Sequence, residues 1–160
     1  TGAKFPRLYF KDCYIDGTTD FIFGPSTALF ENCMIHSKRN SYVTAASTPK
    51  EAKYGYIFKH CKLTAEPGVD KVYLGRPWRP YAYTLFIECE LGKHIVPAGW
   101  HNWGKQSNEE TARYMEYKNT GEGANVSERV AWSKQLTKKE AEAVTVDAIF
   151  GTQSNWNPID

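Results

Sequence analysis

Two residues of this chain carry opposite charges inside apolar frames. Asp20 stands in DFIFG, residues 20–24, and Arg76 in LGRPW, residues 74–78. A buried carboxylate is costly unless something pairs with it. A buried guanidinium is as costly, and its planar fork fits a carboxylate. Asp20 and Arg76 are therefore expected to pair in a cleft walled by aromatic rings. Such a pair is either a structural ion pair or an activated nucleophile with its orienting partner. Residue type alone leaves both open.

Trp78 follows Arg76 by two residues. On a strand the two side chains point the same way, which sets an indole beside the carboxylate or in the core. Pro77 between them fixes the backbone. Other catalytic schemes fit less well. A serine hydrolase needs a GxSxG elbow and a partnered histidine; neither is visible, although Ser41 and Ser47 exist. His36, His60, His94 and His101 sit in polar or turn contexts and read as solvated. Paired acids for glycoside hydrolysis need a second placed carboxylate. Asp16 is four residues before Asp20, but Gly17 after it reads as a turn.

The elements that position these residues follow from a repeat. Cys13, Cys33, Cys61 and Cys89 occupy the same place in LYFKDCYI, ALFENCMI, YIFKHCKL and TLFIECEL. In each copy a Phe lies three before the Cys (Phe10, Phe30, Phe58, Phe86) and an aliphatic residue two after it. Cys13 and Ile15 share one strand face, with Asp12 and Tyr14 on the other. The cysteines are 20, 28 and 28 residues apart, a period that marks a solenoid. Long 3.6-period stretches are missing before residue 100, and Gly, Pro, Asn and Asp punctuate the segments. The expected fold is all-β: a parallel β-helix whose coils stack the four cysteines in a ladder about 4.8 Å per step. Stacked inward thiols behave as small apolar groups, although a disulfide between adjacent coils is conceivable. Metal binding is not expected, because there is no CxxC pair and Cys33 and His36 face opposite sides of a strand.

Past residue 100 the repeat is expected to stop. Tyr114–Ala124 alternates and then enters a Gly-rich turn, and Val130–Trp132 reads as a short strand. Thr137 with Glu140 three residues later forms a capping box for a short helix. This tail reads as a cap or flap along the coil stack. A net charge of +2 and scattered Lys and Arg argue against nucleic acid. There is no run of 18 apolar residues, so no transmembrane helix is expected. Aromatic residues make up 14% of a chain with mean hydropathy −0.56, which suits a carbohydrate-facing surface, although any single Tyr is as readily explained as core.

Together these strings resemble the pectin methylesterase (pectinesterase) family, carbohydrate esterases on a right-handed, single-stranded parallel β-helix. DFIFG and LGRPW look like two of its signature motifs, in the expected order. YVTA (42–45), PAGW (97–100), EYKNTGEGA (116–124) and RVAW (129–132) also look like family segments. The resemblance covers nearly the whole chain, residues 152–160 least, and looks most like the bacterial, plant-polysaccharide-degrading branch. It implies that residues 1–160 are the C-terminal part of one β-helix domain, with coils over 1–100 and a flap or cap over 101–160.

The resemblance implies that the Asp20 carboxylate attacks the methyl-ester carbonyl of a galacturonate in pectin, releasing methanol. Arg76 would hold Asp20 ionised and aimed. Trp78, Phe23 and Thr19 would line the substrate groove, and no metal or cofactor is implied. The family's general acid and oxyanion-stabilising Gln belong to a QDT-type motif upstream of DFIFG. Here Gly17, Thr18 and Thr19 precede Asp20, and no QDT comes before them. The chain is thus expected to be the C-terminal half of the enzyme, with the N-terminal half and methylated homogalacturonan as partners and a secreted or periplasmic location. An exposed coil end predicts poor solubility, dimerisation or dependence on a partner segment for the chain alone. The alternatives are a non-catalytic β-helix that binds polygalacturonate, or a fragment inactive without the missing N-terminal half. A lyase or hydrolase on the same fold would need calcium-binding or clustered acids, which are not seen.

Overall fold

A computed structural model describes residues 5–151 and 158–159. Three parallel sheets run up the molecule, and each of the first three coils gives one strand to each sheet. The first coil is β1 (Arg7–Lys11), β2 (Tyr14–Gly17) and β3 (Ile22–Gly24); the second is β4 (Thr27–Glu31), β5 (Met34–Ser37) and β6 (Ser41–Ala46). The third is β7 (Tyr56–Lys59), β8 (Lys62–Ala65) and β9 (Val72–Gly75), and the fourth begins with β10 (Tyr83–Ile87) and β11 (Glu90–Leu91). First strands pair with first strands, second with second and third with third, all in parallel. This is the parallel β-helix that the cysteine period anticipates.

Each repeat segment, read from sequence as one strand, is two strands joined at a corner. Phe10 and Cys13 are three residues apart, which would place them on opposite faces of one strand. Both nevertheless face the core. Asp12 between them has φ 54°, and Asn32, His60 and Glu88 take the same left-handed conformation in the following coils. Each such corner costs about 1–2 kcal/mol. Burying a Phe on each rung recovers about 1.5–3 kcal/mol.

The rungs are in register, so the phenyl rings stack: Phe10 on Phe30 at 4.8 Å, Phe30 on Phe58 at 4.5 Å and Phe58 on Phe86 at 4.4 Å, all within 9° of parallel. The four cysteines are free thiols. Three of the thiols point at the preceding coil: Cys33 Sγ donates to the Phe10 carbonyl, Cys61 Sγ to that of Phe30 and Cys89 Sγ to that of Phe58.

The repeat does not stop at residue 100. After the short helix α1 (Asn108–Thr111), β12 (Arg113–Tyr117) pairs in parallel with β10 and sets Glu116 opposite Phe86. Lys118 makes the left-handed corner at φ 45°. Asn119 stands in the cysteine place: its Nδ2 donates to the Phe86 carbonyl as a thiol would, and its Oδ1 accepts the Cys89 N–H. The fifth rung thus carries Glu and Asn where the others carry Phe and Cys, so the cysteine pattern does not reveal it. Glu116 is buried and meets Arg129 with two hydrogen bonds of 2.9 and 3.1 Å. Arg129 also donates to the carbonyls of Pro97 and Gly123, drawing three loops together.

Val130–Trp132 is not a strand. The last strand, β13, is Lys134–Gln135, which pairs beside Met115 and Glu116. The helix after Thr137 forms as expected: α2 (Lys138–Glu142) has both halves of the capping box. With α3 (Val146–Phe150) it covers the outer face of the first sheet, where Ile149 and Phe150 join Leu29, Ile57 and Leu85 in a second core. The Lys59 ammonium ties the strap down by donating to the Val144 carbonyl.

Candidate active site

Asp20 sits in the turn before β3, not in a strand. Its φ is 51°, and its backbone N–H is held by the Tyr42 carbonyl at 2.9 Å. A non-glycine residue held in this region carries strain, and such residues cluster at functional sites. Arg76 follows the end of β9. The Arg76 N–H bonds the Thr44 carbonyl, and the Trp78 N–H bonds the Ala46 carbonyl, both at 3.0 Å. The extended backbone therefore continues past Gly75 along β6. Arg76 and Trp78 share a side, and Pro77 falls where no ladder donor is needed. Gly75 is required by close approach: a Cβ there would lie 2.3 Å from Thr44 Oγ1.

Asp20 and Arg76 meet as the sequence implied. Arg76 Nε–H donates to Asp20 Oδ1 at 3.0 Å, and an Nη2–H donates to Oδ2 at 2.6 Å. Each side chain is 20% exposed, so the pair is neither sealed in the core nor loose on the surface. Burial works against the Arg76 charge, but the hydrogen bond and charge of Asp20, together with Tyr42, outweigh it and raise the guanidinium pKa.

Thr19, Asp20, Phe23, Ala45, Trp78 and Trp103 line an open groove of about 370 Å³ on the Asp20 side of this pair. Phe23 and Trp78 form one wall, edge to face at 5.9 Å, and both are exposed. Neither is a core residue. Phe23 lies in register with Ala45 on the next coil, whose small side chain keeps the groove floor low. The arrangement can present a carboxylate to a reacting carbon and apolar ring faces to a sugar.

Residues 3–153 match the Pectinesterase family. The chain belongs to the pectinesterase family. It is 44% identical over 136 residues to "Pectinesterase 31" of Arabidopsis thaliana, covering 84% of this chain and 43% of that protein. Its structure is similar to "Pectin methylesterase from Carrot", with TM-score 0.85 and 33% identity over 92% of this chain and 51% of that one. A pectin methylesterase "in complex with hexasaccharide VII" is similar at TM-score 0.81 and 32% identity, over 96% of this chain and 53% of that one. The chain spans about half the length of these pectinesterases. Curated pectinesterases at 38–44% identity come from a plant and a fungus, so the bacterial branch expected from the sequence finds no support in them.

Sequence reasoning missed Tyr42 and Trp103. Both rings stack on the Arg76 guanidinium, with its Cζ 3.9 Å from the Tyr42 ring centre and 3.8 Å from that of Trp103. Tyr42 was visible as part of YVTA, but nothing in that string points to an arginine. His94 was misread. It is 3% exposed rather than solvated, and burial pushes its pKa down to about 4. Asp16 lies on β2 beside Lys38, in a different sheet from β3.

Proposed function

We propose that this chain carries the nucleophile side of a pectin methylesterase site, with Asp20 as nucleophile and Arg76 as its orienting partner. The observation that carries this reading is the two-pronged Arg76–Asp20 contact in a groove with an aromatic wall. A pair needed only for packing would not require solvent access or exposed rings beside it. A pectin methylesterase of the same fold takes a hexasaccharide, and the groove with Phe23, Trp78 and Thr19 would take methylated homogalacturonan.

In this scheme one Asp20 oxygen adds to the ester carbonyl carbon, and the carbonyl pair moves onto oxygen. The tetrahedral anion collapses, the C–OCH3 bond breaks, and a proton transferred to the departing oxygen makes methanol. The resulting anhydride is hydrolysed by water, regenerating Asp20 and leaving a free galacturonate. Arg76 keeps its fork on Asp20 throughout and sets which lone pair faces the carbon. The proton and the oxyanion donors, each donor typically worth about 3–4 kcal/mol, would come from a segment supplying further coils. Its docking edge would be formed by β1, β2 and β3, each of which stands last in the strand order of its sheet among the described residues. We read residues 1–160 as part of one β-helix domain, acting where pectin is found, secreted or periplasmic.

Methanol release from highly methylated pectin tests this, using the chain alone and mixed with upstream coils of a pectinesterase. Release by the mixture, abolished by Asp20→Asn, supports the reading. Pectin binding without release in either sample moves the protein to the alternative, a polygalacturonate-binding β-helix.

A further inference from the structure

We infer that Tyr42 and Trp103 are positioning residues that clamp the two faces of Arg76, and that His101 closes the clamp by holding Trp103 in place. The inference rests on the esterase reading for its consequence, but not for its geometry.

The Asp20 carboxylate engages one edge of the guanidinium. That contact alone would let the fork and the carboxylate rock together about the Arg76 side chain. The two flat faces are covered instead by Tyr42 and Trp103, at 3.9 and 3.8 Å. Tyr42 is itself backed by Tyr73 on the next rung, 5.2 Å away and nearly parallel. The sequence of layers is Trp103, Arg76, Tyr42, Tyr73. A planar cation between two rings keeps its charge but loses its freedom to rotate.

Trp103 reaches this place through a specific turn. Trp103 has φ 63° and Gly104 has φ 68°. The Trp103 N–H donates to His101 Nδ1 at 2.9 Å, and the Gly104 N–H donates to Asn102 Oδ1 at 2.7 Å. His101 is anchored in turn: its own N–H donates to the carbonyl of Gly75, the residue before Arg76. Its ring sits edge-on to both Tyr42 and Tyr73. The turn that carries Trp103 is thus measured from the same backbone that carries Arg76.

Accepting at Nδ1 requires a neutral ring with its proton on Nε2. The groups facing His101 favour that state. The Arg76 cation is the nearby charge, with Asp20 behind it; Tyr42 and Tyr73 present rings; Glu109 is turned away onto Asn102. Burial first, and then the Arg76 charge, lower the His101 pKa. Acid that does protonate His101 converts Nδ1 to a donor and releases Trp103.

Two readouts on 15N-arginine-labelled protein, with and without upstream coils, test the clamp. The Arg76 Nε–H resonance should be ring-shifted upfield and slow to exchange. Trp103→Leu and His101→Leu should each remove the shift and speed exchange. Trp103→Phe and His101→Asn, whose Oδ1 replaces Nδ1 as acceptor without titrating, should preserve both. In methanol release, the two Leu variants should lower kcat about ten- to hundred-fold with KM within about twofold. His101→Asn should keep kcat and extend activity to lower pH. An unchanged Nε–H signal in Trp103→Leu overturns the inference. So does a raised KM with kcat intact, which would make Trp103 a sugar platform only. If the unsubstituted protein releases no methanol, the esterase reading fails, and the Nε–H signals still decide the clamp.

Discussion

Asp20 and Arg76, 56 residues apart in the chain, share both of the carboxylate's oxygens and both prongs of one guanidinium edge. The contact reaches across three rungs of the third sheet, since Asp20 precedes β3, Arg76 follows β9, and β6 runs between them. An ion pair this far apart in sequence and this close in space is positioned by the coil repeat rather than by local chain geometry.

That geometry separates Arg from Lys. Lysine keeps the charge but has no planar fork. Arg76→Lys should therefore lower kcat roughly 100-fold in the complete site, the loss expected when a reacting group is misplaced by about 1 Å. Binding of de-esterified oligogalacturonide should change little. Asp20→Asn should abolish methanol release and also leave binding intact. Loss of binding in both variants, measured by calorimetry, would count against a catalytic division of labour.

Glu116 and Arg129 close the far end of the coil stack, with side chains 1% and 3% exposed. Removing one partner of such a buried pair strands the other, at a cost of about 3–5 kcal/mol. Arg129→Met should lower stability by that amount in urea unfolding. Glu116 occupies the Phe place of its rung, in register with Phe86. The double variant Glu116→Phe with Arg129→Met should therefore extend the ring ladder and recover about half of the loss or more, because a well-packed apolar replacement is often neutral. A double variant no more stable than Arg129→Met would show that the carbonyls left behind by Arg129 dominate.

How much of this was legible in the sequence depended on which residues repeat. Phe and Cys recur, so four rungs could be read directly. The odd Phe-to-Cys spacing even held the corner in view, since both residues cannot face inward from one flat strand. The fifth rung was hidden because Asn119 makes the cysteine's contact with different chemistry, and because Glu116 replaces ring stacking with an ion pair to Arg129. The strand at Lys134–Gln135 has no apolar signature, because it needs only backbone pairing at a sheet edge. DFIFG and LGRPW marked Asp20, Arg76, Phe23 and Trp78, whereas Trp103 reaches Arg76 through a left-handed turn that no periodicity encodes.

His94 links stability to pH. Its ordinary value is 6.5 and burial lowers it to about 4 in the fold. Between these values the unfolded chain binds the proton and the folded chain does not, so the stabilisation is complete above pH 6.5 and is lost as pH falls toward 4. The window corresponds to at most about 3 kcal/mol. Urea midpoints taken at pH 7 and pH 5 should differ for the unsubstituted chain, and His94→Leu should narrow that difference. An unaltered difference would assign the acid sensitivity to other groups.

Gly75 ties stability to the site. An added Cβ would meet Thr44 Oγ1 at 2.3 Å, and Thr44 is fully buried with its hydroxyl donating to the Leu74 carbonyl at 2.9 Å. Gly75→Ala must then push β9 away from β6, at about 1–3 kcal/mol for an overpacked position. The next residue along is Arg76, so the same displacement should loosen its grip on Asp20 and lower kcat. Thr44→Ala alone removes one buried hydrogen bond, worth about 1 kcal/mol. Combined, the two changes should be less destabilising than their sum, because the second removes the atom that the first strikes. Thermal unfolding of the four proteins in this cycle measures the coupling. Strict additivity would mean that β9 relaxes without moving against β6, and kcat in Gly75→Ala should then be close to that of the unsubstituted chain.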